Sequence, residues 1–340
     1  MNTMKTGVLL VNLGTPDSPK TKDVMKYLTQ FLNDPRVIDI LPLARLILVN
    51  LIIVPFRSAK SAKLYKEIWT SNGSPLLYHT SQVTQELQQS LGADYVVDFA
   101  MRYQSPSLES VMSKFQKLEI KKLIILPLYP QYASSSTGSS IQRALEIVSK
   151  WEVVPQIETV SEFFSNPKFI NTIADIASKY NHNDFDHVVF SFHGLPERHI
   201  RKGDKSCTCL ASDSCCNTIN QNNYYCYRAE AFATARLIAE KLNIPSERYT
   251  VSFQSRLGRD PWIKPYSDYV IIDKAKAGAK KLLVFSPAFV ADCLETIYEI
   301  GVEYQEIFEE HGGEKIQLVE SLNTHPMWVE TLKEMVLAKQ

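Results

Sequence analysis

The sequence has no surplus of charge of either sign, because 37 lysines and arginines balance 37 aspartates and glutamates over 340 residues. Nucleic-acid binding depends on a basic surface that neutralises phosphates, so nucleic acid is disfavoured as the main partner. The 12 glycines form neither a dinucleotide-binding fingerprint nor a Walker motif. The segment Asn12-Leu-Gly-Thr-Pro16 supplies one glycine where three are needed, which disfavours nucleotide binding as well.

Long apolar runs are also scarce. The first one, Gly7–Leu13, is too short for the hydrophobic region of a signal peptide, so we interpret it as a buried strand of a cytoplasmic protein. The most apolar segment, Leu46–Phe56, falls short of the roughly 20 residues that span a bilayer. Two interpretations stay open for it: a buried core helix, or an exposed apolar lip that handles a lipophilic ligand or touches a membrane surface.

Short runs rich in Val, Ile and Leu alternate with stretches of helical periodicity, which predicts an α/β fold with doubly wound parallel sheets. The runs are Gly7–Leu13, Tyr95–Ala100, Leu123–Leu128, His187–Phe192, Tyr249–Phe253, Leu282–Phe285 and Ile316–Val319. They fall into two sets, so we predict Rossmann-like domains over residues 1–160 and 161–320. Glu152–Pro167 is interpreted as the crossover, and a helix within residues 321–340 is expected to pack back on the first domain.

The ends of these predicted strands mark the expected binding site, because ligands of such sheets lie beyond the carboxyl ends of the strands. The segments that follow the strands are Asn12–Pro16, Met101–Tyr103, Tyr129–Gly138, His193–Pro196, Gln254–Gly258 and Ser286–Glu295. They mix aromatic, apolar and a few polar residues, a lining typical of sites for large, flat, partly apolar ligands.

Two ionisable features stand out at these strand ends. An imidazole such as that of His193 can accept protons near neutral pH and bind divalent metals, although a purely structural histidine is the alternative. On an α-helix at about 100° per residue, Asp292, Glu295, Glu299 and Glu303 fall within roughly 80° of one another. This row is either a solvated acidic face or a rail that passes protons or conducts a divalent cation.

Five of the six cysteines form a cluster at Cys207, Cys209, Cys215, Cys216 and Cys226. A cytosolic protein keeps thiols reduced, so such a cluster indicates metal or redox chemistry more than disulfides. The lack of a Cys-x-x-Cys pair disfavours zinc, and four thiolates suit an iron–sulfur cluster; unliganded thiols or disulfides remain an alternative. The favoured ligands are Cys209, Cys215, Cys216 and Cys226, with Cys207 as an alternative to Cys209.

Taken together and in order, these motifs resemble the ferrochelatase family, whose members insert ferrous iron into a porphyrin to make haem. The resemblance runs from Gly7 to about Trp328. The motifs are Asn12–Pro16, Asp34–Ile38, Gly73–Leu76, Met101–Tyr103, Tyr129–Tyr132, Thr137–Ser140, Ser191–Pro196, Phe253–Gly258, Trp262 and Asp292–Thr296. The resemblance implies a chelatase fold with the active site in the cleft between its domains.

The resemblance also assigns roles to residues. It implies that His193 is the active-site histidine and Glu295 its partner carboxylate, with both able to take protons or guide Fe²⁺, and that Asp292 and Glu299 form an acidic path. The positions that match porphyrin-binding residues are Leu13, Arg102, Tyr103, Tyr129, Trp262 and Phe289. Residues 37–56 match an apolar lip, which implies peripheral membrane contact.

The cysteine-rich insert, residues 203–227, resembles a bacterial subset of the family with an internal four-cysteine 2Fe–2S site. Animal-type members instead use a C-terminal extension, which is not expected here because the sequence stops at Gln340. Cys293 replaces a residue that is often histidine in other members. The expected activity is a lyase reaction that inserts Fe²⁺ into protoporphyrin IX by ring distortion and removal of two pyrrole protons. The alternatives are a sister chelatase for another metal or for coproporphyrin, and a non-catalytic tetrapyrrole or iron–sulfur sensor.

Overall fold

The computed structural model describes residues 5–212, 214–258 and 260–339. The chain divides into two compact units, one made of residues 1–129, 133–162 and 323–340, the other of residues 130–132 and 163–322. Each unit contains a four-stranded, all-parallel sheet with helices around it. The predicted α/β class with two doubly wound sheets is therefore confirmed. The expectations that concern residues 1–4 and Gln340 lie outside the described residues.

The sheet of the first unit has the strand order β2-β1-β3-β4. Its strands are β1 (Thr6–Gly14), β2 (Tyr95–Tyr103), β3 (Lys122–Pro127) and β4 (Gln156–Thr159). The chain passes from the first unit to the second between residues 162 and 163, inside the predicted crossover Glu152–Pro167. This range also contains β4, which was not predicted and pairs with β3. This edge strand is polar and nowhere fully buried, so it lacks the apolar run by which the other strands were predicted.

The helices of the first unit cover both faces of this sheet. Their bounds are Thr21–Leu32, Pro42–Ile68, Pro75–Leu91, Leu108–Lys117, Ser139–Val148 (preceded by the π-helical turn Ser134–Gly138) and Pro326–Leu337. The last of these packs against Pro75–Leu91 within the same unit. The core on one face joins strand residues such as Leu9 and Ile125 to the helical Phe115, all of them almost fully buried.

The sheet of the second unit repeats the same topology with the order β6-β5-β7-β8. Its strands are β5 (His187–His193), β6 (Tyr249–Gln254), β7 (Lys281–Phe285) and β8 (Lys315–Leu318). Its main helices are Pro167–Ala177, Glu197–Gly203, Tyr227–Lys241, Ser267–Lys276, the π-helix Glu295–Tyr304 and Gln305–Glu310. The two halves thus share a topology although no close sequence repeat relates them.

The start of β5 carries a buried histidine whose titration affects stability. Burial, and then the positive charges of Lys274 and Arg248, lower the pKa of His187 from 6.5 to about 4. The unfolded chain binds this proton at a higher pH than the folded one, so stability falls as pH decreases from about 6.5 towards 4. We expect this histidine to remove roughly 2 kcal/mol across that window, allowing for partial solvation. Denaturant unfolding of His187→Gln should show a flatter pH dependence, and an unchanged slope would contradict the assignment.

The apolar segment of the first unit lies in the helix Pro42–Ile68, which we call the lip helix. Its 27 residues are long and apolar enough to cross a membrane by length and composition alone, so the expectation of an insufficient length was wrong. Only 17% of its most apolar stretch is buried, which excludes the core-helix interpretation. The apolar side chains with the largest exposed fractions include Leu43 (70%), Leu51 (68%) and Phe56 (81%).

Candidate active site

His193 stands at the carboxyl end of β5, between β6 and β7. The chain runs from β5 to β6 on one side and then crosses over to β7 on the other side of β5, so the strand order reverses here. Such topological switch points are where α/β sheets bind ligands. The His193 Nδ1 atom lies 2.7 Å from the carbonyl oxygen of Gly194. A carbonyl can only accept, so Nδ1 carries the hydrogen and the neutral ring has Nε2 as its proton-accepting atom.

A glycine after His193 allows two neighbours to approach. A Cβ atom on Gly194 would lie 2.7 Å from the backbone oxygen of Gln254 and 3.1 Å from the ring of Trp262. On the β7 side, the ring centroids of His193 and Phe289 are 6.3 Å apart in an edge-on arrangement. The structure therefore brings the predicted residues Trp262 and Phe289 to the strand end that carries His193.

The acidic helix differs from the α-helix expected for it. Residues Glu295–Tyr304 form a ten-residue π-helix, whose turns are wider than those of an α-helix. Its buried side chains are Thr296, Ile300 and Tyr304, four residues apart. On an α-helix, Leu294, Ile297, Tyr298 and Gly301 would lie opposite the acidic row, but none of these four is among the buried residues of the segment. π-Helical turns occur frequently at functional sites.

Glu299 is the most extensively bonded carboxylate of this helix. Its Oε1 atom accepts from the backbone N–H of Ser255 at 2.9 Å and from the Tyr304 hydroxyl at 3.1 Å. Its Oε2 atom accepts from the Ser255 hydroxyl at 2.5 Å and from Gln254 Nε2 at 3.1 Å. Ser255 can offer both donors because its backbone adopts a left-handed conformation, with φ at 64°.

Electrostatic interactions connect Glu299 with the two predicted catalytic residues. Burial raises the pKa of the Glu299 carboxyl and the charge of Glu295 raises it further, whereas the Ser255 hydrogen bond and the positive form of His193 lower it. Gln254 contributes as well, because it pairs with His193 across β5 and β6 and donates from Nε2 to the backbone oxygen of Glu295. Three ionisable side chains thus act on one another at this end of the sheet.

The two other acidic residues of the predicted row, Asp292 and Glu303, have different surroundings from each other. Asp292 precedes the π-helix, where its Oδ1 atom accepts from the Ser321 backbone N–H at 3.2 Å and from the Thr296 hydroxyl at 3.3 Å. Glu303 is exposed to solvent. Between them, Cys293 is buried, and burial together with the nearby Glu295 raises the pKa of its thiol. Asp292 therefore links the first turn of the π-helix to Ser321, and Glu303 lies on the solvated face.

The other predicted porphyrin-binding residues belong to the first unit. Leu13 lies at the end of β1, and Gly14 must be glycine because a Cβ atom would lie 2.0 Å from the Tyr103 carbonyl oxygen. Arg102 and Tyr103 end β2 and both bind Asp34, at 2.6 and 2.9 Å. Burial, and then the charge of Asp34, raise the pKa of the Tyr103 hydroxyl. Tyr129 follows β3, and burial raises its pKa too.

Several residues of these networks were not predicted as site residues. The buried Asp34 also accepts from the Ser139 hydroxyl at 2.6 Å, so one carboxylate organises Arg102, Tyr103 and Ser139. Asp34 lies inside one of the motifs noted in the sequence, and Gln254 and Ser255 follow a predicted strand directly. The position of Gln254 and Ser255 at a strand end could have indicated them as site residues. Their bonding partners could not be predicted, because those partners are far away in sequence.

The cysteine-rich insert gathers four thiols and leaves one aside. Cys215 and Cys216 have their Sγ atoms 3.5 Å apart, and Cys226 interacts with both Cys209 and Cys216. Burial raises the pKa of Cys209 to about 11, while Arg228 Nη1 donates to Cys216 Sγ at 3.0 Å. Cys207 is exposed.

The thiols of the insert do not form a ready-made metal site among the described residues. Across residues 5–212, 214–258 and 260–339, no three His, Cys, Asp or Glu side chains are arranged as a group that could hold a metal ion. The donor chemistry nevertheless suits an iron–sulfur cluster, because four grouped sulfurs and an adjacent guanidinium favour an anionic cluster.

Comparisons with known proteins bear on the whole chain. The sequence model of the family described as Ferrochelatase matches residues 5–340. A ferrochelatase of Coxiella burnetii is 45% identical over 336 residues, which cover 98% of this chain and 94% of the relative. A ferrochelatase of Legionella pneumophila strain Paris is 43% identical over 333 residues, which cover 98% of this chain and 99% of the relative. Among solved structures, SirB from Bacillus subtilis with Fe3+ has a TM-score of 0.53 at 10% identity, covering 98% of this chain and 95% of that chain, a likeness of fold alone.

Proposed function

This chain belongs to the ferrochelatase family, and we propose that it inserts ferrous iron into protoporphyrin IX to form protohaem, a lyase reaction. The observation that carries the proposal is the group formed by His193, Glu295 and Glu299 at the switch point of the second sheet. A base whose Nε2 atom can accept a proton, beside two carboxylates of which Glu299 has a raised pKa, suits the removal of pyrrole protons.

The reaction has three physical requirements: two pyrrole protons must leave, the ring must buckle to expose a nitrogen lone pair, and the iron must shed water. His193 is proposed as the proton acceptor through Nε2. Glu295 assists as a second acceptor or as a transient oxygen ligand of the iron, because imidazole and carboxylate groups both bind ferrous iron. Asp292 and Glu299 are proposed to continue the acidic path, with Glu299 receiving protons from the site.

Aromatic side chains are proposed to hold the distorted ring. Trp262 and Phe289 flank the strand end of His193 and offer stiff surfaces for a flat ligand. Binding energy realised on such surfaces can favour a buckled ring that resembles the transition state. From the first unit, Leu13, Arg102, Tyr103 and Tyr129 are proposed as further porphyrin contacts.

The direct test is an anaerobic assay of the purified protein with ferrous iron and protoporphyrin IX, followed by the visible spectrum of the product. We expect the Soret and visible bands of protohaem to appear. The same assay with cobalt or zinc in place of iron, and with coproporphyrin in place of protoporphyrin, tests for a sister chelatase. One of these combinations would then react faster than ferrous iron with protoporphyrin IX. Absence of any metalloporphyrin product would leave a tetrapyrrole or iron–sulfur sensor as the function.

The insert is proposed to hold a 2Fe–2S cluster through Cys209, Cys215, Cys216 and Cys226. The proposal is supported by the grouping of these four thiols and by the hydrogen bond from Arg228 to Cys216. Iron insertion needs no net electron transfer, so such a cluster would supply structural support or sensing.

Replacing cysteines in the insert distinguishes the ligands. In anaerobically purified protein, Cys209→Ser is expected to lose most of the visible iron–sulfur absorption and the acid-labile sulfide, because it removes one of four ligands. Cys207→Ser is the matched control two residues away and should keep both. If the wild-type protein shows neither the visible absorption nor the acid-labile sulfide, the cluster is excluded. If only Cys207→Ser loses them, Cys207 is the ligand and Cys209 is not.

The lip helix is proposed to dock a cytoplasmic protein on the surface of a membrane. Its exposed apolar residues include Leu51 and Phe56, and exposed basic residues follow at Arg57, Lys60 and Lys63. An apolar face beside basic side chains is typical of helices that lie in the interface of anionic membranes.

Vesicle flotation measures this contact. With vesicles that contain anionic lipids, Leu51→Ser combined with Phe56→Ser is expected to lower the bound fraction at least about tenfold, because two large apolar side chains leave the interface. Leu118→Ser removes an exposed leucine elsewhere on the first unit and should bind as the wild type does. Equal binding by both variants would contradict the proposal.

A further inference from the structure

Three consecutive residues connect the cysteine-rich insert with the strand end of His193. Cys226 is the last cysteine of the insert and immediately precedes the helix Tyr227–Lys241. Its thiol interacts with Cys209 and Cys216, and Arg228 donates to Cys216 Sγ. Between these two contacts, the Tyr227 hydroxyl donates to the backbone oxygen of His193 at 2.8 Å. We call residues 226–228 the insert junction.

The contact of Tyr227 bears on the orientation of the imidazole. The His193 ring donates from Nδ1 to the carbonyl oxygen of Gly194, so its direction depends on the backbone around these two residues. Two hydrogen bonds fix that backbone. The Gly194 N–H donates to the Gln254 oxygen at 2.8 Å on the β6 side, and Tyr227 holds the His193 carbonyl.

Tyr227 itself is firmly placed. Its side chain is buried in the second unit, and its backbone is the first residue of a fifteen-residue helix. The neighbouring Arg228 adds two contacts, one to the Lys264 backbone oxygen at 3.1 Å and one to the ring of Phe232 at 4.6 Å. A change in the packing of the thiols would move Cys226 and therefore the start of this helix.

From this geometry we propose that Tyr227 is a positioning residue for His193. It holds the backbone that sets the tautomer and direction of the imidazole, and through Cys226 it makes that arrangement depend on an intact cysteine-rich insert. The consequence for turnover rests on the proposed chelatase function. The arrangement of the imidazole does not rest on that function, so the effect on the imidazole and the effect on turnover can be tested separately.

The first measurement needs no activity. In protein with ¹⁵N-labelled histidine, the signals of His193 are assigned by comparison with His193→Ala, and its neutral tautomers are distinguished by nitrogen chemical shift. The wild type is expected to show the Nδ1–H form. Tyr227→Phe keeps the buried ring and removes only the hydroxyl, and we expect it to populate the Nε2–H form as well. Tyr180→Phe, which loses a hydroxyl contact to Glu320 elsewhere in this unit, should resemble the wild type.

The second measurement combines changes in the junction and the insert. Tyr227→Phe is expected to lower kcat about tenfold through lost orientation, with KM for porphyrin within about twofold of the wild type. Its visible absorption should match that of the wild type, because all cysteines remain. Cys209→Ser should lower kcat in the wild-type background and add little in the Tyr227→Phe background, because both changes act through the same contact.

A wild-type tautomer of His193 in Tyr227→Phe would overturn the positioning role. Fully additive losses in the double variant would overturn the dependence on the insert. If the wild-type protein forms no metalloporphyrin at all, the proposed function fails, and the tautomer comparison still decides whether Tyr227 positions His193.

Discussion

Replacing His193 with alanine is expected to lower kcat for metalloporphyrin formation roughly 100- to 10,000-fold, the range typical of a lost general base. The imidazole is the only histidine ring at the switch point of the second sheet among the residues that the structure describes. Its Nε2 atom is the acceptor because Nδ1 donates to Gly194. The affinity for porphyrin should change little, since Trp262 and Phe289 are proposed to supply the flat contact surfaces.

His199→Ala is the matched control for this prediction. His199 lies six residues further along the chain, in the helix Glu197–Gly203. We expect its kcat to stay within about twofold of the wild type. Steady-state kinetics measures kcat for both variants, and porphyrin binding is measured separately. Almost normal turnover by His193→Ala would refute the proposed role of His193.

Replacing Glu299 with glutamine is expected to lower kcat about 10- to 100-fold, because the carboxylate that we propose to receive protons is replaced by an amide that cannot. The raised pKa brings this carboxyl closer to neutral pH, where gaining and losing a proton are both easy. The kcat-against-pH profile should lose one ionisation in the variant. Glu303→Gln, four residues further along the same helix and exposed, is the control and should keep a normal rate and profile.

The same variant makes a prediction about stability with a definite sign. A folded pKa raised above the ordinary 4.5 means that the folded state binds this proton more tightly than the unfolded state does. The resulting stabilisation is present at low pH and is lost as pH rises through the folded pKa. In Glu299→Gln, the free energy of unfolding relative to the wild type should therefore increase with pH above about 4.5. Denaturant unfolding at several pH values measures it, and a constant difference would contradict the raised pKa.

Most of the architecture could be predicted from the sequence because buried parallel strands carry an unmistakable apolar signal. Seven of the eight strands coincide with apolar runs such as Leu123–Leu128 and Leu282–Phe285. The exception is β4, which lies at a sheet edge and buries too little to need apolar residues. Backbone hydrogen bonding to β3, a long-range interaction, creates this strand, and a local pattern could not indicate it.

The acidic helix shows the opposite limit. Its residues were identified correctly as helical, but an α-helical period does not give the positions that are buried. Thr296, Ile300 and Tyr304 face inward because the segment follows a π-helical path, on which Glu299 reaches Ser255 and Gln254. Hydrogen bonds to a different strand end hold that path, so the one-dimensional pattern carried no sign of it.

The sequence by itself determined the family, the two parallel sheets and the residue types available at each strand end, because these follow from local composition and from the order of motifs. The tertiary structure decided which of those side chains work together. It joined His193, Glu295 and Glu299 through Gln254, and it placed Cys209 rather than Cys207 with the other thiols. The tertiary structure also leaves most of the apolar surface of the lip helix exposed to solvent. Contacts between residues far apart in sequence and solvent exposure depend on packing in three dimensions, which composition and periodicity do not contain.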